Sequence, residues 1–143
     1  MSAQGLEVID HTVQLTHEWI NELSERLGWA SKRSALRLMR TVFHQIRDRL
    51  STDELAQFSA QLPLLLRGML FEGWVPTRSK VAARKLEDFA AEIAGKMGDD
   101  AEYRGVEDTR YVFELLNNRI GRGEVDDIRA CLSEHLRALW PKP

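Results

Sequence analysis

The sequence predicts an all-α protein: a helical bundle made of two tandem three-to-four-helix repeats, offset by 70 residues and packed with approximate twofold symmetry. Three observations lead there. Apolar residues recur every three or four positions through most of the chain, as they do in helices that bury one face. No stretch sustains the period-two alternation of a strand, and no Asn-Gly hairpin signal occurs. Gly28 with Gly98 and Phe43 with Phe113 set a constant offset of 70, at which the two halves align without a gap.

In chain order, Asp10 is the expected cap of a first helix. Its apolar positions Val13, Trp19, Ile20, Leu23 and Leu27 face one core, and Gly28 ends it. Ser31 caps a second helix, with Ala35, Met39, Val42, Phe43, Ile46 and Leu50 on the inner face. Ser51 and Glu54 have the spacing of a reciprocal capping box and open a third, with Leu55, Phe58 and Leu62 inward. Pro63 lacks an N–H and cannot continue that helix, but it suits the first turn of a short fourth. The buried side of the fourth is expected to be Leu65, Leu66, Met69 and Leu70, and Gly73 and Pro76 stop it.

The turn-rich GWVPTRS places a linker at about 75–79, between a first repeat at about 10–74 and a second at about 80–140. Leu86, Phe89, Ile93 and Met97 restart the helical stripe, which ends at Gly98. An acidic turn leads to a helix carrying Val106, Val112, Phe113, Leu116 and Ile120, and Gly121 and Gly123 precede two last short helices.

At the offset of 70, identities include Glu22/Glu92, Arg40/Arg110, Val42/Val112, Arg49/Arg119, Glu54/Glu124, Leu66/Leu136 and Arg67/Arg137. Amphipathic helices in general resemble one another, but amphipathicity does not dictate Gly28/Gly98 or Arg67/Arg137. One such unit is too small to bury its apolar faces alone, so the two are expected to pack together within a single domain, 1–143.

A chain of 143 residues buries roughly 70% of its unfolded surface, so a core needs no staples. Twenty basic against 22 acidic residues leave a formal charge of −2, which gives no general attraction to nucleic acid or anionic lipid. Cys131, the single cysteine, excludes an intrachain disulfide and a Cys-x-x-Cys zinc or redox site. The N-terminal MSAQGLEVIDHT has neither a basic nor an apolar leader region, and no apolar run approaches the ~20 residues that span a bilayer. A cytoplasmic protein with no membrane contact is expected.

The stretches THEWINEL (Thr16 to Leu23), AQLPLLLRGMLFEGW (Ala60 to Trp74), LEDFAAEI (Leu86 to Ile93) and the closing HLRALWP resemble the bacterial domain-of-unknown-function 2267 family. The resemblance runs from about Asp10 to Trp140, and Cys131-Leu132-Ser133 departs from it where a second Leu-Pro would be usual. It implies an all-helical bacterial protein with no assigned activity and no catalytic residue to carry over.

The most suggestive polar feature is a stripe on the second helix: Arg33, Arg37, Arg40, His44 and Arg47, spaced four, three, four and three residues apart. From Lys32 to Leu50 there are six basic residues to one acidic, against three to four between Glu102 and Ile120. Such a stripe suits an acidic protein partner or phosphates; the plainer reading is a solvated face paired with neighbouring acids. Cys131 and His135 have helical ligand spacing, but zinc needs more ligands, and Cys131 reads instead as a small buried hydrophobe. No nucleophile elbow or phosphate loop occurs. Trp19, Trp29, Trp74 and Trp140 could line an apolar ligand pocket, although core packing explains them more simply. Arg67 and Arg137 read as structural, offsetting their own helix ends and reaching Glu54 or Glu124. Gln61 is the polar residue of the proline break left without a role.

The expectation is therefore a non-enzymatic protein–protein interaction or self-association module, with a homodimer as one form and no cofactor or metal. Nucleic-acid binding through the basic second helix is the alternative, and small-molecule binding in a tryptophan-lined pocket the third.

Overall fold

The computed structural model describes residues 5–76 and 86–143, and among them there are eight α-helices and no strand. They are α1 (Glu7–Leu27), α2 (Lys32–Arg47), α3 (Thr52–Ala60), α4 (Leu64–Leu70), α5 (Leu86–Met97), α6 (Thr109–Arg119), α7 (Arg122–Cys131) and α8 (Glu134–Arg137). Thr77 to Ser79 of the expected linker, the expected start of the second repeat near residue 80, and the Leu86 side chain lie outside the described residues.

Helix α1 packs on α2, α4 and α6, while α5 packs on α2 and α8. The first helix of each half thus lies against the second helix of the other, α2 also meets α6, and α3 meets α7. The core runs through the middle of this arrangement. Leu23, Met39, Val42, Phe58, Leu66, Ile93 and Val112 are fully buried, Phe113 stacks on Trp140 at 4.7 Å, and Phe43 meets Phe58 edge-on at 5.9 Å.

Local chemistry accounts for most boundaries. Ser31 caps α2 by accepting the Ser34 N–H at 3.0 Å. Gly28 ends α1 in the left-handed region at φ 72°, with the Trp29 N–H returning to Ser24 O. Gly98, after α5, is needed for space instead, because a Cβ there would come within 2.7 Å of Ala94 O. Pro63 sits at the N-cap of α4, and at the second break the Ser133 hydroxyl accepts the Leu136 N–H.

Several expectations need correction. Helix α1 begins at Glu7, a turn before Asp10, behind Leu6 without a side-chain cap; Glu7 and Asp10 offset the dipole from the first turn. Only half of the Ser51–Glu54 box forms: the hydroxyl accepts the Glu54 N–H at 3.2 Å. Val106 lies in a 3-10 turn (Val106–Asp108) ahead of α6, where the Asp108 carboxylate binds the Arg104 N–H and guanidinium. Val13 and Leu65 are 39% and 41% exposed rather than buried, although the Leu65 N–H donates to Thr12 Oγ1 between the two helices: periodicity sets the direction of a face but not whether another element covers it. Cys131 is exposed, since α7 buries only Val125 and Ile128.

Candidate functional site

The stripe on α2 is built by periodicity. Ala35, Leu38, Met39, Val42, Phe43 and Ile46 are buried on one side, which leaves Arg33, Arg37, Arg40 and His44 on the rim of the other. Most of these groups have partners within the chain. Arg37 Nη2 pairs with Asp99 Oδ1 at 2.8 Å, and Arg40 donates through Nε (3.0 Å) and Nη2 (2.7 Å) to Glu72 Oε1. His44 Nε2 lies 2.7 Å from Met69 O. Burial pushes the His44 imidazole below its ordinary value; the Met69 carbonyl and Glu72 oppose this, while Arg47 and Arg40 add to it. The ring is therefore neutral near pH 7, with Nε2–H donating to Met69 O.

Arg47 does not share the surface with the others. It is 7% exposed and donates to Leu70 O (2.9 Å), Glu72 O (2.8 Å) and the Asp48 carboxylate. A nucleic-acid contact through Arg33, Arg37, Arg40 and Arg47 would require the buried Arg47 to leave its partners, as well as the exchange of the exposed Arg37 and Arg40 pairs; Arg33 alone of the four is exposed and in no ion pair among the described residues.

The structure adds groups that the stripe did not reveal. Thr41, Gln45 and, from α5, Lys96 join Arg37, Arg40 and His44 around a cleft of about 290 Å³ between α2 and α5. Lys96 is 56 residues from Arg40 in the chain, so only the packing of α5 on α2 brings them together. Its one sequence signal is that it matches Arg26 at the offset of 70.

A second surface lies at the outer corner of α1 and α4. Leu65 N–H donates to Thr12 Oγ1 at 2.9 Å, which holds the first turn of α4 against α1. Beside this link Leu6, Ile9, Val13, Leu64 and Leu65 are between 39% and 56% exposed. Ile9 and Val13, with Asp10, Gln14 and His17, also border a shallow recess of about 850 Å³.

The α3–α7 seam holds Gln61, whose Oε1 accepts the Gly121 N–H at 3.4 Å and so serves the N-terminus of α7, where Gly121 offers no side-chain cap. Glu54 and Glu124 each present a solvent-shielded carboxylate oxygen with no hydrogen-bond partner. Burial, then the charges of Glu54 and Asp127, push the Glu124 carboxyl above the usual glutamate range. Burial of the sulphur and the same acidic neighbourhood raise the Cys131 thiol, which disfavours a reactive thiolate.

Trp19, Trp29 and Trp140 are buried in the core, and Trp74 lines a separate cleft of about 140 Å³ with Arg47, Ser51 and Leu55. The tryptophans are thus not gathered around that cleft. Cys131 ends α7 and His135 lies in α8, so the break at Leu132–Ser133 separates them. No group of three or more metal-ligating side chains occurs among the described residues.

Residues 16–139 match the model of an uncharacterised conserved protein family, DUF2267. The chain belongs to the DUF2267 family. No curated protein matches this DUF2267 chain. No described helix is long and apolar enough to cross a membrane.

Proposed function

We propose that this DUF2267 protein is a non-enzymatic interaction module that associates with a second copy of itself through the α1–α4 corner. The observation that carries this reading is the set of exposed apolar residues Leu6, Ile9, Val13, Leu64 and Leu65 beside the Thr12–Leu65 link between α1 and α4. The charges beside it favour a second copy as the occupant. Asp10 and His17 lie two turns apart on α1, on either side of Val13 and Gln14. In an antiparallel pairing of two α1 helices about that midpoint, Asp10 of each copy meets His17 of the other while the apolar residues meet at the centre.

The same reading takes the chain as a tandem duplication with approximate twofold symmetry, in a bacterial cytoplasm. The register at an offset of 70 and the reciprocal packing of α1 on α6 and α5 on α2 support the duplication. The single free cysteine fits a reducing compartment.

Sedimentation velocity over a concentration series tests the association. The wild-type chain should reach a dimer, and Ile9→Asp with Val13→Asp should be monomeric with an unchanged helical circular-dichroism spectrum. A wild-type chain that stays monomeric at its solubility limit, or a double variant that dimerises as well as wild type, would overturn the proposal.

A further inference from the structure

We propose that the cleft between α2 and α5 binds a small oxyanion, the carboxylate or phosphate group of a small-molecule ligand, between Arg40 and Lys96. At the offset of 70 this cleft corresponds to the contact of α1 with α6, and its lining shares no residue with the α1–α4 corner. Where α1 packs on α6, Arg110 Nε and Arg26 Nη1 both reach one carboxylate, Glu114, at 3.4 and 3.7 Å. The matching positions in the α2–α5 cleft are Arg40, Lys96 and His44. The two cations are kept, and the anion between them is replaced by an imidazole.

His44 cannot take the place of that anion. The ring carries no negative charge in either protonation state, and its Nε2 is held on Met69 O at 2.7 Å. What remains is a cleft of about 290 Å³ lined by Arg37, Arg40, Thr41, His44, Gln45 and Lys96, near the lower end of the size range of small-ligand pockets. Lys96 is exposed and in no ion pair among the described residues.

The carboxylates nearby hold the rim without lining the cleft. Asp99, paired with Arg37, has a side chain that is 82% exposed, and Glu72, paired with Arg40, one that is 47% exposed. Such pairs are screened by water and exchange readily for a better-placed anion. Glu92 accepts the Gln45 amide at 3.2 Å. An oxyanion seated in the cleft would gain charge-assisted hydrogen bonds from a guanidinium and an ammonium, as Glu114 gains pairing with two guanidiniums in the other half.

Titration of the full-length ¹⁵N-labelled protein with glutarate and with inorganic phosphate, each against sodium chloride at equal ionic strength, tests this. Saturable amide shifts confined to α2 and the end of α5 are expected with at least one oxyanion and not with chloride; which of the two acts identifies the ligand group. Lys96→Gln, on the surface, should weaken binding about tenfold or more. His44→Glu should abolish it, because the variant carries its own carboxylate as the second half does. No saturable shift with either oxyanion, equal shifts with chloride, or undiminished binding by Lys96→Gln would overturn the proposal.

Discussion

At the end of α2, the buried Arg47 guanidinium donates to Leu70 O, the last carbonyl of α4, and to Glu72 O just beyond it. At the matching place in α6, Asn117 donates to Pro141 O at 2.7 Å and accepts the Trp140 indole N–H at 2.7 Å, just beyond α8. The two halves thus meet one requirement with different side chains. A short helix turned back onto a longer one leaves its last carbonyls without helical partners, and a donor on the longer helix must reach them. The fold sets that requirement; the residue type that meets it is free to vary. Arg67 and Arg137 show the opposite case, in which one solution is used twice. Arg67 donates to Ser59 O and Leu62 O at the end of α3, and Arg137 to Leu132 O at the end of α7. Both stand in the last turn of their own helix, where a cation offsets the dipole, but their hydrogen bonds go to the end of the preceding helix, and no ion pair joins them to Glu54 or Glu124 among the described residues.

The contrast between Arg47 and Asn117 is open to measurement. Arg47→Ala leaves two inward carbonyls and the Asp48 carboxylate without their donor, and should lower unfolding free energy by about 3–5 kcal/mol in urea denaturation. Asn117→Ala strands a buried indole N–H and one carbonyl, and should cost about 1–3 kcal/mol. A larger loss for Asn117→Ala than for Arg47→Ala would break the comparison. Arg67→Ala and Arg137→Ala should each cost about 1–2 kcal/mol and agree closely with each other, since both remove charged donors to helix-end carbonyls. An unchanged melting temperature in Arg137→Ala would show that its role is not structural.

The smallest effect concerns Glu124. Its carboxyl titrates above the usual glutamate range because of burial, Glu54 on α3 and Asp127 on its own helix, with Cys131 also nearby. A raised carboxyl value contributes stability that is present at pH below the unfolded-state value and is lost as pH rises through the folded one. Glu124→Gln removes that loss. The variant should melt at or above the wild-type temperature near neutral pH, with the advantage shrinking toward acid pH; thermal melts across pH check the sign.

Legibility in the sequence followed the range of the interaction. The helices, the breaks near Pro63 and Ser133 and the ends at Gly28 and Gly98 were readable because each depends on residues within a turn or two. The polar stripe was legible as a pattern, but its use was not. Asp99 and Glu72, which pair with Arg37 and Arg40, lie 62 and 32 residues away, and no local rule names them. The exposure of Val13 and Leu65 escaped for the same reason: periodicity gives the direction of a face, not whether another element covers it.

By itself, then, the sequence determined the class of the protein, the order of its helices and most of their inward faces, because helical periodicity and caps are local. Only the tertiary structure decided that Arg47 is buried on carbonyls, that Gln61 caps a helix 60 residues away, and that Lys96 completes a basic cleft with Arg40. Each of these depends on which helices come to lie side by side, and that is settled by packing the whole core rather than by any one segment.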